Sequence, residues 1–344
     1  MNRALVFVFF CTVLFSTMEV ALKGMVGSFG AMQVNITRFL IGGLALIPFA
    51  LRGVRQSGER LDAGALGRMA LLGFVGIAVS MTLYQLAVER VPANVAAVIF
   101  CCNSAFVMGF AFLIMKTPIT RRQAASLALA LLGIACIVNP LRLGISVEGA
   151  VLSLSAPVLF ALYVVLGAPV SHRFSGVTTT CGSFLFGSLE LMALALIAQL
   201  PPVTAFLDAH GLEAFANVTL TGGYSSARDV LLMLYVSVGV SGAGYACYFM
   251  AAEAGSPFTA SLAFFFKPVL APVLAVLFLN ETISATTLAG IALILVGSVL
   301  TMRARIEELA HWYWLRHRLA QHHHDRASFR IPDHHAGHYH GPRH

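Results

Sequence analysis

Long apolar runs dominate this chain of 344 residues and leave few ways for it to fold. Hydrophobic residues make up 58% of the sequence and charged residues only 11%, whereas a soluble domain is about 25% charged. A helix needs about 20 mostly apolar residues to cross a bilayer. The composition therefore predicts an integral membrane protein in contact with lipid. The net charge of +7 does not indicate a nucleic-acid partner, because the basic residues lie between the runs and in the tail.

Ten runs are long enough to be spans, and they predict an all-α integral membrane protein with ten transmembrane helices. The predicted spans are 4–26, 31–51, 69–88, 93–115, 123–139, 149–168, 178–200, 229–250, 258–279 and 284–302. The run after Arg3 contains Glu19 and Lys23 and has no convincing cleavage site. We interpret it as the first span and not as a signal peptide.

The basic residues of the connections predict how these spans are oriented. With the N-terminus in the cytoplasm, sixteen Lys and Arg residues fall inside and three fall outside. Cytoplasmic loops carry the excess of Lys and Arg in membrane proteins. We therefore expect both termini to be cytoplasmic, in a multi-pass protein of a bacterial-type inner (plasma) membrane.

The two halves of the chain resemble each other when the sequence is shifted against itself. A shift of 164 positions places the stretch from Tyr84 to Glu89 on the stretch from Tyr248 to Glu253. For the first spans of each half the shift is 145 positions. Each half has five spans, so the second half enters the membrane inverted. Inverted repeats are typical of secondary transporters, with the substrate site near the midplane between them.

These repeats define three predicted regions. Residues 1–140 form the first repeat (spans 1–5) and residues 141–302 form the second, inverted repeat (spans 6–10). Residues 303–344 form a cytoplasmic tail. The tail begins with an aromatic and arginine-rich stretch that suits an interfacial helix and ends in a His-rich segment that we expect to be disordered.

The second repeat contains a pattern of motifs near its end. It comprises a span with Pro268 at its middle, the turn Asn280-Glu281-Thr282, and the element from Leu293 to Gly297 in the last span. This pattern resembles the drug/metabolite transporter superfamily, in particular its EamA-type ten-span transporters, over about residues 1–302. The resemblance implies a transporter without a cofactor, and it implies that a homodimer can form.

The sequence departs from the family pattern in two places. The first repeat has Lys116-Thr117 where the resemblance predicts a glutamate. The first span also lacks the Trp-Gly pair expected near Phe15-Ser16. The motifs are specific for the family and not for its substrate.

Five ionisable residues lie inside predicted spans, where each costs a few kcal/mol to insert and marks a candidate functional position: Glu19, Lys23, Arg38, Glu190 and Lys267. Glu19 and Lys23 are four residues apart, the spacing of a helical ion pair. With Arg38 they could form one cluster in the outer half of the membrane. The alternative is that Lys23 and Arg38 extend to the outer interface and Glu19 only neutralises them.

Lys267 and Glu190 are both predicted near the midplane. A cation there is a natural partner for a carboxylate or another anionic group of a substrate, and Pro268 frees a backbone carbonyl one turn earlier. The alternative is a structural Lys267–Glu190 pair. Asn103, at the position equivalent to Lys267 in the first repeat, could add an amide hydrogen bond.

Tyr84 and Tyr248 are equivalent residues of spans 3 and 8. They are candidates for lining the substrate cavity, with the alternative that they are packed rings whose hydroxyls are satisfied. We expect Glu281 to be structural. The six cysteines all lie in apolar runs with no spacing typical of a disulfide or metal site, so we predict no metal site.

The sequence therefore predicts a secondary transporter that exports a small metabolite or amino-acid-like solute by alternating access, with Glu19 or Glu190 as candidates for proton coupling. A lipid-linked or metal-ion carrier on the same fold is the alternative. A membrane-embedded enzyme would need converging catalytic side chains, and the runs contain no histidine and no such set. We predict that the chain is not an enzyme.

Overall fold

A computed structural model describes residues 3–116, 119–138, 146–209, 212, 215–216, 218–254, 257–297 and 299–300. These residues form helices joined by short loops and contain no β-strand. The predicted tail at 303–344 lies outside the described residues.

The apolar runs form helices, which we label in chain order. They are α1 (Arg3–Gly24), α2 (Ala31–Ser57), α3 (Ala63–Arg90), α4 (Ala93–Met115), α5 (Arg121–Val138), α6 (Val147–Phe174), α7 (Gly176–Ala198), α8 (Ala227–Ala251), α9 (Pro257–Leu279) and α10 (Ala285–Gly297). A further short helix, Pro201–Ala209, lies between α7 and α8.

Seven of these helices in the described part of the chain are long and apolar enough to cross a membrane, namely α1–α4, α6, α7 and α8. Shorter apolar helical segments occur in α5, α9 and α10. The helix ends agree with the predicted spans to within a few residues at most positions. The exceptions are α2, which continues to Ser57, α3, which begins at Ala63, and α6, which continues to Phe174 and so places His172 in its last turn.

Several helices are interrupted in the middle. α1 breaks at Thr17 and α4 breaks at Cys102, whereas α9 continues through Pro268 and Pro272. Part of α3, Gly73–Met81, and part of α8, Tyr235–Gly244, are π-helical. Under the 164-residue shift these two segments occupy nearly the same position of each half. Sequence periodicity did not predict them, because a π-segment changes the hydrogen-bond ladder and not the composition.

Helices at equivalent positions of the two halves pack against each other, α2 on α7 and α4 on α9. A Cβ at Gly43 would lie 2.9 Å from the Leu185 side chain, and one at Gly53 would lie 2.5 Å from Ser175 Oγ. Residue numbers thus rise along α2 as they fall along α7, so this pair is antiparallel.

The pair α5 and α10 repeats this arrangement. A Cβ at Gly133 would lie 2.8 Å from the Gly290 carbonyl, and one at Gly297 would lie 3.0 Å from the Ser126 carbonyl. Ser126 also donates a hydrogen bond to the Gly297 carbonyl at 2.6 Å. Only glycine permits backbones to approach this closely.

Further contacts bring α1 against α8 and α9, α2 against α8, α3 against α6 and α7, and α4 against α6. As a result α1, α2, α3, α4 and α9 all contribute side chains to one interior region. The charged residues of the apolar runs meet there.

Candidate functional site

An ion pair between Lys267 and Glu19 lies in this interior. Lys267 Nζ is 2.6 Å from Glu19 Oε1, and the two side chains are only 2% and 1% exposed. The pair joins α9 to α1. This ion pair contradicts two pairings considered from the sequence, namely Glu19 with Lys23 and Lys267 with Glu190. The partner of Lys267 is Glu19.

Two aromatic residues complete the surroundings of this ion pair. The hydroxyl of Tyr84, on α3, donates a hydrogen bond to Glu19 Oε1. Its ring packs on Phe100 of α4 at 4.5 Å, and Lys267 Nζ lies 5.7 Å above the Phe100 ring. Glu19 Oε2 is buried with no hydrogen-bond partner among the described residues. The carboxylate thus has one engaged oxygen and one free oxygen.

Arg38, on α2, is a second buried cation in the same region. It is 1% exposed, its guanidinium carbon lies 4.3 Å from the centre of the Phe39 ring, and its Nη2 donates a weak hydrogen bond to Met81 Sδ at 3.5 Å. Its Nε and Nη1 have no partner among the described residues. Burying a guanidinium whose N–H donors are not all hydrogen-bonded costs free energy. This cost makes Arg38 a candidate for binding a ligand.

A small cavity of about 30 Å³ lies between the two cations. This is room for one or two water molecules. Arg38 and Lys267 supply its charged lining. The rest of the lining is mainly aromatic and sulfur-containing side chains: Phe15, Met18, Phe39, Met81, Phe100, Phe160, Ser241, Tyr245 and Phe264.

Lys23 does not join this cluster. Its Nζ donates to the carbonyls of Val88 at 2.7 Å, Glu89 at 3.2 Å and Val91 at 2.9 Å. These are carbonyls at the C-terminal end of α3, which no further helical turn can satisfy. A cation at this end also complements the helix dipole. The structure therefore places Lys23 as a cap that ties α1 to α3.

Glu281 caps the beginning of the next helix. Its Oε1 accepts from the Ala93 backbone N–H at 2.6 Å, and its Oε2 accepts from the Asn94 N–H at 3.0 Å and the Asn94 Nδ2 at 2.7 Å. These donors open α4 and have no partner within the helix. The turn glutamate between α9 and α10 is thus in a structural position, as the sequence suggested.

The remaining predicted residues lie around the cluster. Tyr248 packs its ring against Phe15 and Phe264, two residues that line the cavity. Asn103 is buried at the point where α4 resumes after its break. Glu190, on α7, is half-buried, and its Oε2 has no partner in the described part of the chain.

Sequence reasoning missed Phe100 and Met81 as neighbours of the charges, because an apolar residue in an apolar run carries no signal. The six cysteines, all among the described residues, form no disulfide. The described residues hold no group of three or more His, Cys, Asp or Glu side chains that could bind a metal ion, and the His-rich tail lies outside them.

Charged residues around a cavity inside a bundle of apolar helices are typical of membrane proteins that move solutes or ions. The chain is a member of the EamA-like transporter family, whose pattern matches residues 2–139 and again residues 147–303.

Some similar proteins are named as transporters. An uncharacterized transporter of Clostridium kluyveri is 31% identical over 87% of this chain and 93% of its own length. Protein PecM of Dickeya dadantii is 25% identical over 67% of this chain and 72% of its own length. A crystal structure with 16% identity covers 86% of this chain and 96% of its own chain, with a TM-score of 0.58. That likeness shows a shared fold.

Proposed function

We propose that this chain is a secondary transporter that exports a small metabolite or amino-acid-like solute across a bacterial-type inner membrane by alternating access. The observation that carries the proposal is the buried charge around the cavity: Lys267 paired with Glu19, and Arg38 left with unused donors. Ionisable side chains inside membranes typically mark the path of a substrate or an ion. Membership of a transporter family supports this use of the cluster.

The framework of the proposal is ten spans in two inverted repeats of five, 1–140 and 141–302, with both termini and the tail in the cytoplasm. Three observations support it. The family pattern matches the chain twice, the pairs α2–α7 and α5–α10 are antiparallel, and α3 and α8 have π-segments at equivalent positions. Two halves related in this way can tilt against each other around a fixed site.

The charged residues break the symmetry of this framework. Under the shifts of 145 and 164 positions, Glu19 corresponds to Val164, Arg38 to Ser183 and Lys267 to Asn103. All three charges thus lie where the other half has an uncharged side chain. Because the fold is built in the other half without them, we infer that the charges serve the solute and not the framework.

Alternating access also needs contacts that close one side. Lys23 and Glu281 both bind the junction between α3 and α4, from α1 and from the α9–α10 turn. In the proposed orientation this junction is at the outer face, so the two caps would hold that side closed. The equivalent turn of the first half has Lys116-Thr117 in place of a glutamate, and we infer that the cytoplasmic side opens more easily.

Coupling to a proton would fall to Glu19 or Glu190. Glu19 is held by Lys267 and Tyr84, so protonation would remove its charge attraction to Lys267. Glu190 has an unpaired oxygen on α7. The family resemblance favours a homodimer as the assembled form.

A solute screen tests the proposal directly. The purified full-length chain is first heated in the presence of amino acids, amines, nucleosides and metal ions, and a solute that raises the unfolding temperature is then followed in proteoliposomes. We expect uptake or counterflow of one small solute in the wild type and its loss in Lys267→Ala. The control is Arg68→Ala, which removes an exposed cation at the start of α3.

Flux in Lys267→Ala equal to that of the Arg68→Ala control would remove Lys267 from the transport site. A hit confined to metal ions, lost on deletion of 303–344, would instead favour the metal-carrier alternative.

A further inference from the structure

Resting on the proposed transport function, we propose that Arg38 binds the carboxylate of the transported solute, and that this solute is a monoanion with an apolar, ring-sized body. The proposal assigns a role to a residue whose Nε and Nη1 donors have no partner in the described structure, and it limits the solute to one chemical class.

The hydrogen bonds of Arg38 are the first argument. A guanidinium has five N–H donors in a rigid plane, and here its contact is with the Met81 sulfur, a weak acceptor. Nε and Nη1 lie buried without partners among the described residues. A carboxylate accepts two parallel hydrogen bonds from a guanidinium and fits its geometry better than any neutral acceptor does.

The charges of the site are the second argument. Glu19 is the acidic side chain nearby, and its Oε1 is engaged by Lys267 and Tyr84. No ion pair joins Glu19 to Arg38 in the described residues, so one positive charge around the cavity stays without a direct counter-charge. In a low-dielectric interior this disfavours a cationic solute and favours a single negative charge.

The cavity lining is the third argument. Six aromatic residues line it beside the two cations: Phe15, Phe39, Phe100, Phe160, Tyr245 and Phe264. Rings bury large apolar areas and pack edge to face on other rings. An apolar body would therefore lie among them while its carboxylate lies at Arg38. The present volume of about 30 Å³ admits only water, so the solute enters when α2 and α9 move apart.

Three probes of the same shape test the charge preference on the wild-type, full-length protein. They are 3-phenylpropionate (an anion), 3-phenylpropionamide (neutral) and 3-phenylpropylamine (a cation), each followed by thermal shift in detergent. We expect 3-phenylpropionate to raise the unfolding temperature in a saturable way and the other two to have little effect. An equal shift with the amide or a larger shift with the amine would overturn the proposal.

Arg38 itself is tested with two variants and one control. Arg38→Gln should weaken 3-phenylpropionate binding by about 10- to 100-fold, the loss expected for a charge-assisted hydrogen-bonded pair. Arg38→Lys keeps the charge without the planar fork and should bind with intermediate affinity. Arg52→Gln makes the same change at an exposed position of α2 and should bind as the wild type does.

Unchanged affinity in both Arg38 variants would overturn the assignment. If Arg38→Gln does not fold, the wild-type probe series and the Arg38→Lys affinity still decide the matter. One further outcome is transport of another solute at a rate that neither the Arg38 variants nor added 3-phenylpropionate changes. That result would contradict the anion site and would still support the transport function. If 3-phenylpropionate binds in an Arg38-dependent way but no screened solute is transported, the result would support the anion site and contradict the transport function.

Discussion

Two sets of charged residues lie in or beside the apolar helices, and they differ in how many of their polar atoms have hydrogen-bond partners. Lys23 and Glu281, at one end of the bundle, each contact three hydrogen-bonding groups at the α3–α4 junction. Arg38 and Glu19, in the interior, each keep unpaired polar atoms among the described residues. The first set satisfies helix ends, whereas the second is incomplete by itself.

This difference separates charges that complete the fold from the charges that we propose to act on the solute. A charge whose donors or acceptors are all used stabilises the fold and gains nothing from a further ligand. A buried charge with unused donors carries a desolvation cost, and a ligand that supplies the missing partner recovers part of it. The number of unused polar atoms, and not the presence of a charge, therefore points to the site.

The largest effect should come from breaking the interior ion pair. Lys267→Met leaves Glu19 buried without its cation, which costs about 3–5 kcal/mol. The double variant Glu19→Gln/Lys267→Met removes both charges and should regain most of that stability. Thermal unfolding of the purified variants measures both changes, and solute flux should be absent in each. A double variant that transports like the wild type would show that the pair is structural.

A smaller loss is expected at the capped end of α4. Glu281→Gln removes the charge from hydrogen bonds to the Ala93 and Asn94 N–H groups and should cost about 1.5–3 kcal/mol. The matched control is Glu148→Gln, which alters a carboxylate 63% exposed and paired with Arg90, where about 0–1 kcal/mol is expected. Equal losses in the two variants would mean that Glu281 is no more than a surface charge.

Lys23→Met tests whether the other cap is separate from the site. The loss of its bonds to the C-terminal carbonyls of α3 should lower the stability by up to about 2 kcal/mol. Because the Lys23 ammonium binds carbonyls at the end of α3 and Lys23 is not among the residues that line the cavity, the solute affinity should stay within about twofold of the wild type, a change below 0.5 kcal/mol. A tenfold change in solute affinity without a change in stability would show that Lys23 takes part in solute binding.

Tyr84→Phe removes a single hydrogen bond from the Glu19 carboxylate and leaves the ring packed on Phe100. The expected loss is about 1 kcal/mol in stability, read from the unfolding temperature. Unfolding at the wild-type temperature would show that this hydrogen bond does not stabilise the fold.

The smallest effect is expected outside the membrane, at Asp62. The Ala65 backbone N–H, helped by Arg173, lowers the pKa of this carboxyl below its usual 3.8. A lowered pKa means that the ionised form is favoured in the folded protein, so its contribution is present above pH 3.8 and is lost as the pH falls through the lower, folded value. Asp62→Asn should remove that acid-sensitive part of the stability, measured as unfolding temperature against pH.

The helices could be predicted closely because their signal is local. A run of apolar residues has few alternatives to a helix in lipid, and the predicted span 93–115 coincides with α4. The π-segments of α3 and α8 could not be predicted, since they depend on how the neighbouring helices approach.

The candidate site was predicted only in part. All of its charged members, Glu19, Arg38 and Lys267, were identified because an ionisable residue stands out in an apolar run. Their pairing was wrong: the sequence offered Lys23 or Glu190 as partners, and the interior pair is Glu19 with Lys267. Those two residues are 248 positions apart, and sequence spacing carries no information about which helices of a bundle become neighbours.

By itself the sequence determined that this protein is a bundle of apolar helices, that its halves repeat, and which ionisable side chains lie inside it. The free-energy cost of inserting a side chain into the membrane and the length of each helix depend on the local composition, which can be read directly from the sequence. Only the tertiary structure decided that Lys23 caps a helix while Lys267 holds Glu19. It also decided that Arg38 lies beside a cavity with its Nε and Nη1 unpaired among the described residues. Whether a polar atom is satisfied depends on neighbours brought together by helix packing, and that property belongs to the fold.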